Sequence, residues 1–134
     1  MGNINTHNKL NFEDIQYAIT NTNTYVIITT VNANINTCLI QGTIPIETEE
    51  TVINSLISSG KYKDINIIVY GLNCNDLSIH TKVKQLKSLG FNHVFIYIGG
   101  LFEWLLLQDI YGQSNFQTTS VEKDLLKYKP SKIF

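Results

Sequence analysis

Three short runs constrain this chain more than anything else in it: Tyr25–Val31 (YVIITTV), Ile65–Tyr70 (INIIVY) and Val94–Ile98 (VFIYI). Each is nearly continuous in β-branched and aromatic residues, without the apolar/polar alternation of a strand that keeps one face in water. Such runs are strands buried on both faces. The segments between them carry apolar residues at helical spacing: Val52, Ile53, Leu56 and Ile57 within Thr48–Ser58, and Ile79, Val83, Leu86 and Leu89 within Leu77–Leu89. Strands alternating with helices imply right-handed crossovers. The expected class is α/β, a doubly wound, open, mainly parallel sheet with helices on both faces.

The remaining segments fill in around this frame. Asn11–Ile19 reads as an opening helix with Phe12, Ile15 and Ile19 on one face, Asn11 as N-cap, and Glu13 and Asp14 in the first turn. Cys38–Ile46 holds short apolar runs broken by Gly42 and Pro45, which predicts a strand, a turn and a second strand ending near the proline. Thr48 is the expected cap of the next helix, Ser59-Gly60 its stop, and Gly90 the stop of Leu77–Leu89. Gly99-Gly100 suits a tight turn with positive φ into the apolar helix around Trp104, whose indole belongs in the core. The face of Leu101–Tyr111 offers a patch for a protein partner. Val121–Tyr128 reads as a last helix.

With 134 residues, 43% of them apolar and 16% charged, the chain has the composition of one globular domain, its core spanning about 11–128. A formal net charge of −1 supplies no field to gather nucleic acid or an anionic membrane. No apolar run approaches the roughly 20 residues of a membrane span. The polar start MGNINTHNKLNFED lacks the core of a secretory signal, so the expected location is the cytoplasm. Gly2 followed by Thr6 fits a loose N-myristoylation pattern. Cys38 and Cys74 are too few for a disulfide framework, and with His7, His80 and His93 they show no metal-ligand spacing. No metal or cofactor is expected.

Chemistry is expected at Cys74. In open α/β sheets, ligand sites lie beyond the carboxyl ends of the strands, and the segment Tyr70–Ser78 leaves one. The candidate site is Cys74 with the loop residues Gly71, Leu72, Asn73, Asn75, Asp76, Leu77 and Ser78. The positive end of the following helix favours an anion beside Cys74, while the charge of Asp76 opposes one. Asp76 suits the N-cap or first turn better than the role of a general base. Asn73 and Asn75 either line the loop with amide donors or serve its turns. Ser78 is expected to bond backbone there, His80 to lie on the helix surface, and Cys38 to sit in the core.

Here three segments carry a resemblance. LIQGTIPI at Leu39–Ile46 is similar to the His-Ile-x-Gly-Ala-x-x-Ile-Pro element of the rhodanese-like family, and IIVY at Ile67–Tyr70 resembles the strand that feeds its active loop. LKSLGFNHVFIYIGGLFEW at Leu86–Trp104 is similar to the family's Leu-x-x-x-Gly-Phe-x-x-Val segment followed by Gly-Gly-x-x-x-Trp. The three occur in the family's order, and the resemblance covers nearly the whole chain. The resemblance implies a single rhodanese-like domain whose loop cysteine, matched by Cys74, takes sulfane sulfur as a persulfide and passes it on. The implied partners are a sulfur donor or acceptor, either a small molecule or a protein thiol.

The loop departs from the family's pattern. The usual Gly-x-Arg-Ser after the cysteine is replaced by Asn75-Asp76-Leu77-Ser78, and no Arg or Lys lies between Gly71 and Thr81. A bound thiosulfate would therefore lack the bidentate cation that usually orients it. Thr29 and Val31 stand where many members have Asp and Arg, and Cys38 and Leu39 stand near a family glycine and histidine. Two readings follow: a sulfurtransferase carrying sulfur on Cys74, or a non-catalytic rhodanese-like module that binds another protein. The phosphatases that share this fold need Cys-x5-Arg, and His80 occupies the arginine's place.

Overall fold

The computed structural model describes residues 8–32 and 38–134. The myristoylation pattern at Gly2 and Thr6, and His7, fall outside them. Four parallel strands, β1 (Lys9–Leu10), β2 (Tyr25–Thr29), β3 (Asn66–Tyr70) and β4 (His93–Tyr97), form one sheet in the order β1-β4-β3-β2. The helices are α1 (Phe12–Ile19), α2 (Glu49–Ser58), α3 (Ser78–Ser88) and α4 (Gly100–Tyr111).

The continuous apolar runs have their expected cause. Ile27, Ile68, Tyr70 and Tyr97 point to one face, where α1 contributes Ile15 and Ala18 and α4 contributes Leu101, Trp104 and Leu105. Val26, Ile28, Ile67, Val69, Val94 and Ile96 point to the other, against Ile53 of α2 and Ile79, Val83 and Leu86 of α3. Both faces of the central strands are therefore covered over most of their length, the polar Asn66 and His93 standing only at their first positions. The Trp104 ring meets Tyr97 and Phe116 edge-on, and its Nε1 donates to the Gln117 carbonyl at 3.0 Å.

Local signals at the helix ends were mostly sound. Asn11 Oδ1 accepts from the Glu13 and Asp14 N–H groups, and Asp14 Oδ2 accepts from the Asn11 N–H, a reciprocal box that starts α1. Gly60 and Gly90 adopt positive φ behind α2 and α3. Thr48 is a correction: its own backbone is helical, because a 3-10 turn at Ile46–Thr48 runs straight into α2. Its hydroxyl donates back to the Pro45 carbonyl and caps nothing in α2.

Three further expectations change. Cys38–Ile46 contains no extended strand, only isolated bridges: Thr43 beside Ile27, continuing the sheet past β2, and Ile40 antiparallel to Thr118. Gly42 at φ +90 turns the chain between them too soon for a ladder to grow. Leu89 is 49% exposed, since α3 ends at Ser88 and the C-cap residue swings away from the buried stripe. Val121–Tyr128 forms only a 3-10 turn, Leu125–Tyr128. Asp124, at φ −92 and ψ 81, is not helical and its N–H is taken by Glu122 Oε1, so no helix runs through 121–124, and Lys129, extended before a proline, stops the turn at its other end. Among the described residues no helix is long and apolar enough to cross a membrane.

Candidate functional site

β3 ends at Tyr70, which is fully buried; its hydroxyl accepts from the Ile40 N–H at 3.1 Å and lies 2.8 Å from Thr43 Oγ1. Burial pushes that phenol up to about 12, against the hydrogen bonds from Thr43 and Ile40. A rigid anchor thus fixes the point where the chain leaves the sheet. From Gly71 to Leu77 it runs as a loop across the carboxyl ends of the strands, then enters α3.

The loop is held from below by α4. The Leu101 N–H donates to the Gly71 carbonyl at 3.0 Å and the Phe102 N–H to the Leu72 carbonyl at 2.9 Å. These α4 amides would otherwise lack partners at a helix start. Gly100, at φ +69, lies so close that a Cβ there would sit 2.7 Å from the Gly71 oxygen and 3.0 Å from the Asn73 nitrogen. The second glycine of Gly99-Gly100 therefore serves the loop as much as the turn.

Within the loop, Asn73 and Asp76 take most of the polar work. Asn73 is buried; its Oδ1 accepts from the Asn75 N–H at 2.9 Å, its backbone carbonyl accepts from the Asp76 N–H at 3.2 Å, and its Nδ2 donates to the Tyr128 carbonyl at 2.9 Å. It is a strut for the turn and does not present its amide to a ligand. Asp76 Oδ2 accepts from the Leu72 N–H at 2.9 Å and Oδ1 from the Ser78 N–H at 3.0 Å. The Ser78 hydroxyl, expected to bond backbone, instead bonds two side chains, 2.5 Å from Asp76 Oδ1 and 2.7 Å from Thr30 Oγ1, which ties the start of α3 to the end of β2. Partial burial pushes the Asp76 carboxyl up, but the bonds from Ser78 and Leu72 outweigh it and hold the group below its ordinary value. Asp76 packs so tightly on Gly71 that a Cβ on the glycine would lie 2.5 Å from Oδ2.

Cys74 is exposed, with Asn75 Oδ1 3.8 Å from its Sγ. Leu77, at the N-cap of α3, is 75% exposed, which leaves an apolar side chain where the loop enters the helix. Among the described residues no hydrogen bond joins the His80 imidazole to Cys74, and no group of side chains is arranged to hold a metal ion. Two lysines on neighbouring elements are engaged: Lys82 Nζ lies 2.6 Å from Glu49 Oε2, and Lys127 Nζ 2.7 Å from Glu122 Oε2. Cys38 is buried, its thiol donating to the Ser120 carbonyl at 3.3 Å.

A cavity of about 210 Å³ opens beside the loop, with Thr30, Val31, Leu72, Asp76, Lys127 and Tyr128 among its walls. Cys74 does not line it. Thr30, Lys127 and Tyr128 were not anticipated. No local pattern marks them, because they reach the loop from the end of β2 and from the C-terminal turn. Gly100 carried a signal, its glycine pair, that points to a turn and says nothing of what the turn faces.

No protein-family model matches the chain, and no curated protein matches it in sequence. Solved structures do. A rhodanese-like domain from Anabaena sp., determined by solution NMR, is 22% identical over 95% of this chain and 93% of its own, with a TM-score of 0.53. A protein from Bacillus halodurans is 20% identical over 78% of this chain and 73% of its own, at 0.56. A thiosulfate sulfurtransferase from Pseudomonas aeruginosa is 19% identical over 90% of this chain, also at 0.56; the match spans 23% of that longer protein. These likenesses establish the fold.

Proposed function

From the rhodanese-like fold that this chain has, we propose that Cys74 is a sulfur-exchange thiol, accepting sulfane sulfur from one thiol carrier and handing it to another. The observation that carries this reading is the placement of an exposed cysteine on the loop between β3 and α3, beyond the carboxyl end of the sheet. In the first step the Cys74 thiolate attacks the outer sulfur of a donor persulfide. The donor S–S bond breaks, the donor thiolate leaves with the electron pair, and Cys74 becomes the persulfide. An acceptor thiolate then attacks that outer sulfur and Cys74 leaves as thiolate. The transferred sulfur keeps its oxidation state, so neither an oxidant nor a reductant is needed.

Intact-mass measurement after incubation with a persulfurated protein donor tests the proposal. One added sulfur is expected on the wild-type chain and on Cys38→Ser, and none on Cys74→Ser. Absence of any adduct on the wild type defeats it.

A second reading, a non-catalytic protein-binding module, is favoured by α4: Leu106, Ile110 and Tyr111 leave apolar surface exposed along one side of the helix. Binding to a defined partner that survives Cys74→Ser but is lost in Ile110→Glu would support it.

A further inference from the structure

The Leu72 and Ser78 N–H groups are donors that the start of α3 and the strand-to-loop turn could offer to an anion. Both are already taken by one carboxylate of the chain itself, Asp76, at 2.9 and 3.0 Å, with the Ser78 hydroxyl added. The Asn75 and Asp76 N–H groups are likewise bonded within the loop, to Asn73 Oδ1 and to the Asn73 carbonyl. The side chain is packed on Gly71 without room to withdraw in that direction. Its carboxyl lies below the ordinary carboxylate range, so at neutral pH a full negative charge stays there. No cation offsets it within 71–81, and Lys82 and Lys127 are each spent on a glutamate.

We infer that Asp76 sets the charge class of what reaches Cys74: its carboxylate holds the Leu72 and Ser78 N–H donors, turns away oxyanionic sulfur donors, and leaves the thiol to carriers that bring no oxyanion beside the transferring sulfur. Asp76 is in this sense a specificity residue, acting by electrostatics two positions from the thiol without taking part in the exchange. The exposed, uncharged Leu77 where the same loop enters α3 suits a carrier sulfur presented on a protein surface better than a small anion. The inference rests on the sulfur-exchange reading of Cys74 and narrows its substrates to thiol and persulfide groups on proteins or uncharged molecules, thiosulfate being excluded.

The test uses two alkylating reagents of the same size and chemistry, neutral iodoacetamide and anionic iodoacetate, with modification of Cys74 followed by peptide mass. Their rate ratio cancels the thiolate fraction and isolates the charge that the reagent meets. In low salt the wild-type ratio is expected to exceed that of N-acetylcysteinamide by about threefold, the effect of one charge at short range in a watery dielectric, and to fall toward it in high salt. In Asp76→Asn the excess disappears, while Glu50→Gln leaves it unchanged. A wild-type ratio equal to that of the free thiol in low salt overturns the inference, and so does an excess that persists in Asp76→Asn. The wild-type salt series decides the matter alone if the variant fails to fold. Alkylation involves no sulfur transfer, so its outcome is independent of whether Cys74 carries sulfur.

Discussion

The Leu101 N–H donates to the Gly71 carbonyl at 3.0 Å, so the helix that follows β4 begins by bonding the loop that follows β3. Two segments separated by an entire helix and strand thereby form one unit: α4 gains acceptors for its first amides, and the Cys74 loop gains a floor. Gly100 makes the approach feasible, because no side chain fits between the two backbones.

Gly100→Ala tests this contact. Alanine would have to hold a left-handed φ of +69 with its methyl 2.7 Å from a backbone oxygen. Either the loop or the helix start must move, at a cost of about 2–4 kcal/mol. Chemical denaturation is the measurement, and a loss below about 0.5 kcal/mol would mean that the two backbones are not in contact.

Thiol accessibility separates the two cysteines. A native-state titration with an aromatic disulfide reagent is expected to consume one thiol quickly, Cys74, while Cys38, 2% exposed and packed in the core, reacts only on unfolding. Fast reaction of both would place Cys38 outside the core.

Tyr70 and Tyr97 are register partners at the ends of β3 and β4, yet their hydroxyls differ. Tyr70→Phe leaves the buried Ile40 N–H without its acceptor, a cost of about 1–3 kcal/mol. The Glu103 carboxylate lies near Tyr97 Oη but makes no hydrogen bond of good geometry with it, and no other group among the described residues does. Tyr97→Phe is therefore expected to be neutral or stabilising by up to about 1 kcal/mol. A loss as large as that of Tyr70→Phe would reveal a partner for Tyr97.

The same tyrosines set the alkaline limit. In the unfolded chain a tyrosine ionises near 10.0, whereas burial holds Tyr70 up to about 12 and pushes Tyr97 upward too, with the nearby Glu103 carboxylate adding to it. The folded state keeps protons that the unfolded state has released. Stability is thus whole below the unfolded value and falls as pH rises toward the folded one. Unfolding midpoints should decline across that window, and less steeply in Tyr97→Phe. Equal slopes in the two proteins would exclude Tyr97 from the effect.

Asp76 acts at the opposite end of the pH scale. Its folded carboxyl lies below the unfolded value of 3.8, so the stability it lends is present above that value and is lost as pH falls through the lower one. Asp76→Asn should be less stable than the wild type by about 0.5–1.5 kcal/mol at neutral pH, the range of one hydrogen bond. The gap should narrow in acid, as followed by denaturation at several pH values. A constant gap would assign the loss to shape and not to charge.

Much of the framework was legible in the residues. β2, β3, β4 and α1 to α4 announced themselves through burial patterns that each segment carries alone: unbroken apolar runs where both faces are covered, a stripe where one is. Asn11 could be read as a cap because a cap bonds backbone two or three residues away; Asp76 is a correction, since Leu77 stands at the N-cap of α3 and Asp76, one position earlier, bonds the Ser78 N–H and reaches back to the Leu72 N–H. β1 could not be read, since two residues paired with β4 have no pattern of their own. Thr43 and Ile40 were over-read as strands, because apolar residues predict burial and only a neighbour's spare backbone groups make a ladder.

The sequence by itself determined the class of fold, the position of Cys74 at the end of a buried strand, and the absence of a cation from its loop. Those are matters of order and composition. The tertiary structure alone decided what the loop's polar groups do. Asn73 is committed to a carbonyl 55 residues away, Gly100 to the Gly71 backbone, and the carboxylate of Asp76 to the Leu72 N–H as well as to its own helix. Hydrogen bonds of that kind depend on where distant backbone ends up, and the three-dimensional closing of the sheet and its helices settles it.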